Sequence, residues 1–214
     1  ILKRTANCFA EDKPKIPKTF EDPTFPNLEN YTYKIVGDTK VNERLTVVNV
    51  GVQRPASARI WNLAMGTPTC IIEKLYAQKD KGTTHDRFLL TPDYYNASNG
   101  SDFGAFLDHV EGVSEKIGQL LHEHGYPLDN WSSPVRKNDG VVEGLQVKVR
   151  QAMLGEKASA STGPVKAVVK LSCVYLLPGK TGLSFEMVDF YNPYACAQPA
   201  TTDTATDMKE NEVK

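Results

Sequence analysis

The clearest hydrophobic pattern in the chain lies between residues 102 and 124. Phe103, Phe106, Leu107, Val110, Val113, Ile117, Leu120 and Leu121 recur at spacings of three and four. That spacing forms one apolar stripe along an α-helix. Asp108, Glu111, Glu115, Lys116, Gln119 and Glu123 occupy the rest of its surface. Ser101 or Asp102 can cap its start, Gly125 supplies the left-handed C′ position, and Pro127 prevents continuation. The helix is therefore expected over 102–124, after a polar loop at 91–101.

Elsewhere the period is two. Residues 44–53 read as a strand with Thr46, Val48, Val50 and Val52 on one face. Further strands are expected at 58–64 and 70–78, separated by the turn signal Gly66-Thr67-Pro68. Asp80-Lys81-Gly82 turns the chain onto Arg87-Phe88-Leu89-Leu90. After the helix, 145–150 and 165–175 alternate strictly. The turn Pro178-Gly179-Lys180-Thr181-Gly182 leads into a last strand at 183–190. The Ala/Ser/Gly stretch 155–163 reads as flexible. Five to seven strands and one long helix imply a β-rich α+β domain, an OB-like barrel or twisted sheet with the helix plugging or flanking it.

The ends are different in character. Pro14, Pro17, Pro23 and Pro26 mark 1–34 as an extended Pro-rich arm, with Phe9, Phe20, Phe25, Tyr31 and Tyr33 as possible anchors. Self-association through this arm is one expectation; a partly disordered leader is the other. The domain proper is expected over 35–196, and 197–214 as a disordered polar tail.

Composition narrows the classes. With 25 basic and 26 acidic residues among 214, the net charge of −1 excludes a uniformly basic coat but leaves room for a basic face. No apolar run approaches the roughly 18–20 residues that cross a bilayer, and Ile1-Leu2-Lys3-Arg4 lacks a signal-peptide core. Cys8, Cys70, Cys173 and Cys196 are scattered, so a structural zinc is not expected. Buried free thiols are the preferred reading and two disulfides the alternative. Sequons at Asn30, Asn96, Asn99 and Asn130 favour that alternative, a secreted glycoprotein.

Catalytic patterns are missing. His122 and His124 sit two apart on different helix faces, His109 lies beside the stripe, and no H-E-x-x-H occurs. Pro178–Gly182 lacks the upstream glycine of a phosphate loop and precedes a strand. No enzyme activity, metal or cofactor is expected.

The pattern that carries chemistry lies on the two strands after the helix. In 145–150, Leu145, Val147 and Val149 face inward and Gln146, Lys148 and Arg150 outward. In 165–173, Val165, Ala167, Val169, Leu171 and Cys173 face inward and Lys166, Val168, Lys170 and Ser172 outward. If these strands pair, Lys148, Arg150, Lys166 and Lys170 share one surface with no acid among them. Such a surface suits a phosphate backbone through counterion release. Stacking platforms are the second requirement of a single-strand binder. Trp61, Tyr76 and Trp131 are candidates, each near a cation: Arg59, Lys74 and Arg136. Lys on the solvent face of a sheet also serves simply to discourage edge pairing.

Several stretches resemble the OB-fold single-stranded-DNA-binding proteins of short-tailed phages and large DNA viruses. They are Thr67-Pro68-Thr69-Cys70-Ile71, the helix 102–124, Ser132-Ser133-Pro134-Val135-Arg136, and Val168 to Tyr175 followed by Gly179 to Phe185. The resemblance implies an OB fold with a helix between the third and fourth strands. It also implies binding of single-stranded DNA or RNA without sequence preference, in replication, in the cytoplasm or nucleus of an infected cell. That family usually ends in a strongly acidic tail, whereas Thr201–Lys214 is mixed in charge. A virion or assembly subunit is the alternative.

Overall fold

The computed structural model describes residues 31–53, 55–56, 58–80, 83–94 and 97–194. Most of the Pro-rich arm and the whole polar tail lie outside these residues, as do the sequons at Asn30 and Asn96. Thr32–Lys40 (β1), Thr46–Gln53 (β2), Ile60–Trp61 (β3), Ala64–Gly66 (β4), Cys70–Asp80 (β5) and Thr83–Pro92 (β6) precede the long helix Ala97–Glu123 (α1). Trp131–Ser132 (β7), Val135–Asn138 (β8) and Val141–Val149 (β9) follow, then the helix Ala152–Ala160 (α2). Lys166–Leu177 (β10) and Lys180–Tyr191 (β11) complete the described elements. The β-rich α+β class expected from the sequence stands, as one large mixed sheet with two helices.

The strands run in the order β1-β2-β10-β11-β9-β6-β5, with β3 on β2, β4 on β10, β7 on β11 and β8 on β9. Strand β11 is parallel to β9 and β7; the other pairs are antiparallel. This path is not closed into a barrel. One bridge, Cys70 with Val165, ties the start of β5 to the residue before β10.

Gly66-Thr67-Pro68, expected to be a turn between two strands, is instead a kink in one extended run along β10. Pro68 has no N–H to give the ladder. Thr67, which is fully buried, holds the kink to β10: its N–H donates to Ala167 O at 2.8 Å and its Oγ1, in place of a backbone carbonyl, accepts from Ala167 N at 2.9 Å. The ladder then resumes through Cys70 and Val165, which exchange two bonds of 2.8 Å.

α1 starts at Ala97, five residues earlier than periodicity indicated. Its first turns carry no apolar stripe, so spacing gave no signal there. From Phe103 to Leu121 the stripe behaves as expected, and Phe103, Phe106, Val110, Ile117 and Leu121 are wholly buried. Each such side chain contributes roughly 1.5–3 kcal/mol over exposure. The stretch read as flexible, 155–163, is mostly helix α2. Leu154 and Ala158 enter the core and Gly155 lies close to the Asp86 carboxylate. Its apolar side is too short to show a period, and Gln151 makes no side-chain cap bond. At the arm's end, Tyr33 is buried in the core and Tyr31 packs against it, within and just before β1.

Cys70 and Cys173 are buried free thiols. Among the described residues, no helix is long and apolar enough to cross a membrane.

Candidate functional site

The inward assignments on β9 and β10 hold for Leu145, Val147, Val149, Val165, Ala167, Val169 and Leu171, all of which belong to the core. Cys173 does not. The register shifts between Leu171 and Cys173, leaving Ser172 as an extra residue. Such a bulge turns the following side chain to the other face. Cys173 therefore pairs with Ser184, and neither belongs to the core cluster.

β9 and β10 do not pair. β11 lies between them, so the shared cationic surface is interrupted by the outward residues of β11. Glu186 stands opposite Lys148 on one side and Lys170 on the other, and Asp189 stands opposite Val168. The expectation of a face without acids is overturned by this middle strand.

What the sheet assembles is a single row across five strands. Tyr76 on β5 pairs with Arg87 on β6, Arg87 with Lys148 on β9, Lys148 with Glu186 on β11, and Glu186 with Lys170 on β10. The row ends on Ala64 of β4. At about 4.8 Å between strands, the row from Tyr76 to Lys170 runs about 19 Å along the sheet. Arg150 lies one outward position beyond Lys148. Its guanidinium donates to the bulged Ser172 Oγ at 2.7 Å and meets Glu186 Oε2 at 3.4 Å.

The exposures across the row differ. Tyr76 is 51% exposed, and its hydroxyl accepts a long 3.5 Å bond from Gln146 Nε2. Lys148 is only 9% exposed. Burial pushes its ammonium below the usual lysine range; Cys173 and Glu186 oppose this, while Arg150 and Arg87 reinforce it. A buried cation beside two other cations costs stability. Lys166 lies at the start of β10 on the outward face, opposite Tyr191.

The remaining sequence candidates stand elsewhere. Lys74 has the inward phase of Ile72 and reaches Asp86 at 3.4 Å, below Gly155 of α2. Trp61 has the phase of the buried Leu63 and Met65, opposite to Ala64, so it is not on the row's face. The Arg59 guanidinium stacks on it, 4.0 Å from the ring centroid. Trp131 is half-buried against Gly118 of α1 and donates Nε1 to Ser114 Oγ at 3.0 Å, which makes it an anchor for the helix. Arg136 lies in the β8–β9 hairpin, where it pairs with Glu143. Sequence reasoning missed Arg87 and Glu186. Arg87 has the phase opposite to the buried Phe88 and Leu90, but Leu89 shares its phase and is buried as well, so the run gives no clean alternation; nothing local marks Glu186 as a neighbour of Lys148.

Away from the row, a cleft of about 440 Å³ lies between β1, Pro127 and the β10–β11 turn. Tyr126 donates its hydroxyl to Asp38 Oδ2 there at 2.8 Å. None of the cations and aromatic rings proposed for nucleic-acid binding lines this cleft. Among the described residues, no group of His, Cys, Asp and Glu is arranged to hold a metal. No protein-family model, curated protein or solved structure matches the chain.

Proposed function

We propose that this chain binds single-stranded nucleic acid, without sequence preference, on the outer face of β5, β6, β9, β11 and β10. The observation that carries the proposal is the row Tyr76–Arg87–Lys148–Glu186–Lys170, an exposed aromatic ring, two cations on adjacent strands and a third beyond Glu186. Cations attract the phosphate backbone and release its counterions. A tyrosine ring gives a base of any identity a face to stack on.

The fold proposed for this face is OB-like. Taking β5, β6, β9, β10 and β11 as strands one to five in chain order, the neighbours run one-two-three-five-four. The third and fifth are parallel, and Cys70–Val165 returns the first strand to the fourth. α2 lies between the third and fourth strands. In this reading α2, not the long α1, is the helix that the resemblance to phage and viral single-stranded-DNA-binding proteins calls for. α1 is then an insertion between the second and third strands. OB folds use the face of strands two and three for oligonucleotides, here the strands of Arg87 and Lys148. Acting in viral or phage replication, in the cytoplasm or nucleus of an infected cell, is the setting that resemblance suggests.

The test is a fluorescence-anisotropy titration of a labelled oligothymidylate at about 50 and 200 mM salt. Three phosphate contacts give a slope near −2.1 in log K against log salt, so affinity should fall roughly 20-fold over that range. No binding at the lower salt, or binding indifferent to salt, refutes the proposal.

A further inference from the structure

A carboxylate in the middle of a phosphate-binding row calls for a reason. Glu186 is flanked in register by Lys148 and Lys170, and its oxygen lies 3.4 Å from Arg150 Nε. Its side chain is 15% exposed, against 49% for Arg150. Arg150 is held from a second side by Ser172, the extra residue of the β10 bulge. In the free protein, then, a built-in anion already pairs with Arg150 and stands in register between Lys148 and Lys170.

Resting on the binding function proposed above, we infer that Glu186 is an internal competitor for phosphate that sets the affinity of the row. It neutralises the crowded cations in the absence of ligand. A phosphate arriving at Lys148 or Arg150 must work against its charge. Binding is then weaker than the cations alone would give, and a moving or replaced strand can leave the face readily. Glu186 acts through the cations and need not touch the nucleic acid.

The test is E186Q, which keeps an acceptor near Arg150 and removes the charge. Anisotropy titrations with labelled oligothymidylate would be run over a salt series beside the wild-type protein, with melting temperatures recorded. The expected result is binding tighter by about three- to tenfold, the size of one like-charge contact removed at roughly 6 Å in a dielectric of about 40–80. The salt slope should also steepen by about 0.7, one further phosphate neutralised. E123Q, at the far end of α1, makes the same change in net charge and should leave affinity within about 1.5-fold of wild type. If E186Q melts below the assay temperature, E186S, shorter and also neutral, takes its place. A folded Glu186 variant that binds no tighter than wild type overturns the inference while leaving the binding function intact. Equal gains in E186Q and E123Q overturn it too, as a general charge effect. Absence of binding by both wild type and E186Q removes the binding function and this inference together.

Discussion

Replacing Lys148 by Met should separate what the row costs the fold from what it gives to binding. Lys148 is 9% exposed and shares its surroundings with Arg87 and Arg150, and loss of its charge leaves Glu186 still paired with Arg150. Methionine fills a similar volume without a charge to desolvate. Exchanging buried charge for apolar volume is commonly neutral or stabilising, and about 1 kcal/mol of added stability is expected here. In a chain of this size that raises Tm by about 2–4 °C, readable by calorimetry. Binding should move the other way. One phosphate contact fewer lowers the salt slope by about 0.7, so a fourfold rise in salt weakens K148M by about 2.6-fold less than wild type. The reasoning fails if K148M melts several degrees lower, which would make Lys148 a needed counterion. It also fails if the variant keeps the wild-type affinity and slope.

Two further outcomes can be checked independently. Y76A removes a half-exposed ring from the end of the row. It should weaken oligothymidylate binding by roughly tenfold, within the 1–3 kcal/mol of one stacked base, with Tm nearly unchanged. The second concerns alkaline stability: burial pushes the Cys70 thiol up to about 12 against the bond from Thr67. Since the unfolded thiol loses its proton near its ordinary value of 9.0, stability should fall from about pH 9 upward by about 1.4 kcal/mol per unit, until the folded thiol also ionises. Urea melts of wild type and C70A under reductant, between pH 8 and 11, should show that extra slope only in the wild type; equal slopes contradict it.

How far the chain could be read before its fold was known depended on whether the deciding contact was local. The α1 stripe and the inward residues of β9 and β10 follow from spacing alone, because burial of one face imposes the period. Lys148 and Lys170 were legible as outward cations for the same reason. Their neighbour was not, since inserting β11 between β9 and β10 is a matter of topology and puts Glu186 where a continuous basic face was expected. Cys173 was misassigned because a bulge at Ser172 breaks the two-residue period. Trp131 and Trp61 looked like free platforms because aromatic residues serve cores and ligands equally well; only Ser114 and Gly118 reveal that Trp131 braces α1. α2 escaped notice because a nine-residue helix that buries Leu154, Gly155 and Ala158 leaves almost no apolar rhythm.

Backbone amide shifts recorded while oligothymidylate is added would locate the contact surface directly. Changes should concentrate at Tyr76, Arg87, Lys148, Glu186 and Lys170 and leave Trp61, Trp131 and Arg136 quiet. Shifts centred on those last three, with the five-strand row unmoved, would contradict the assignment of this face.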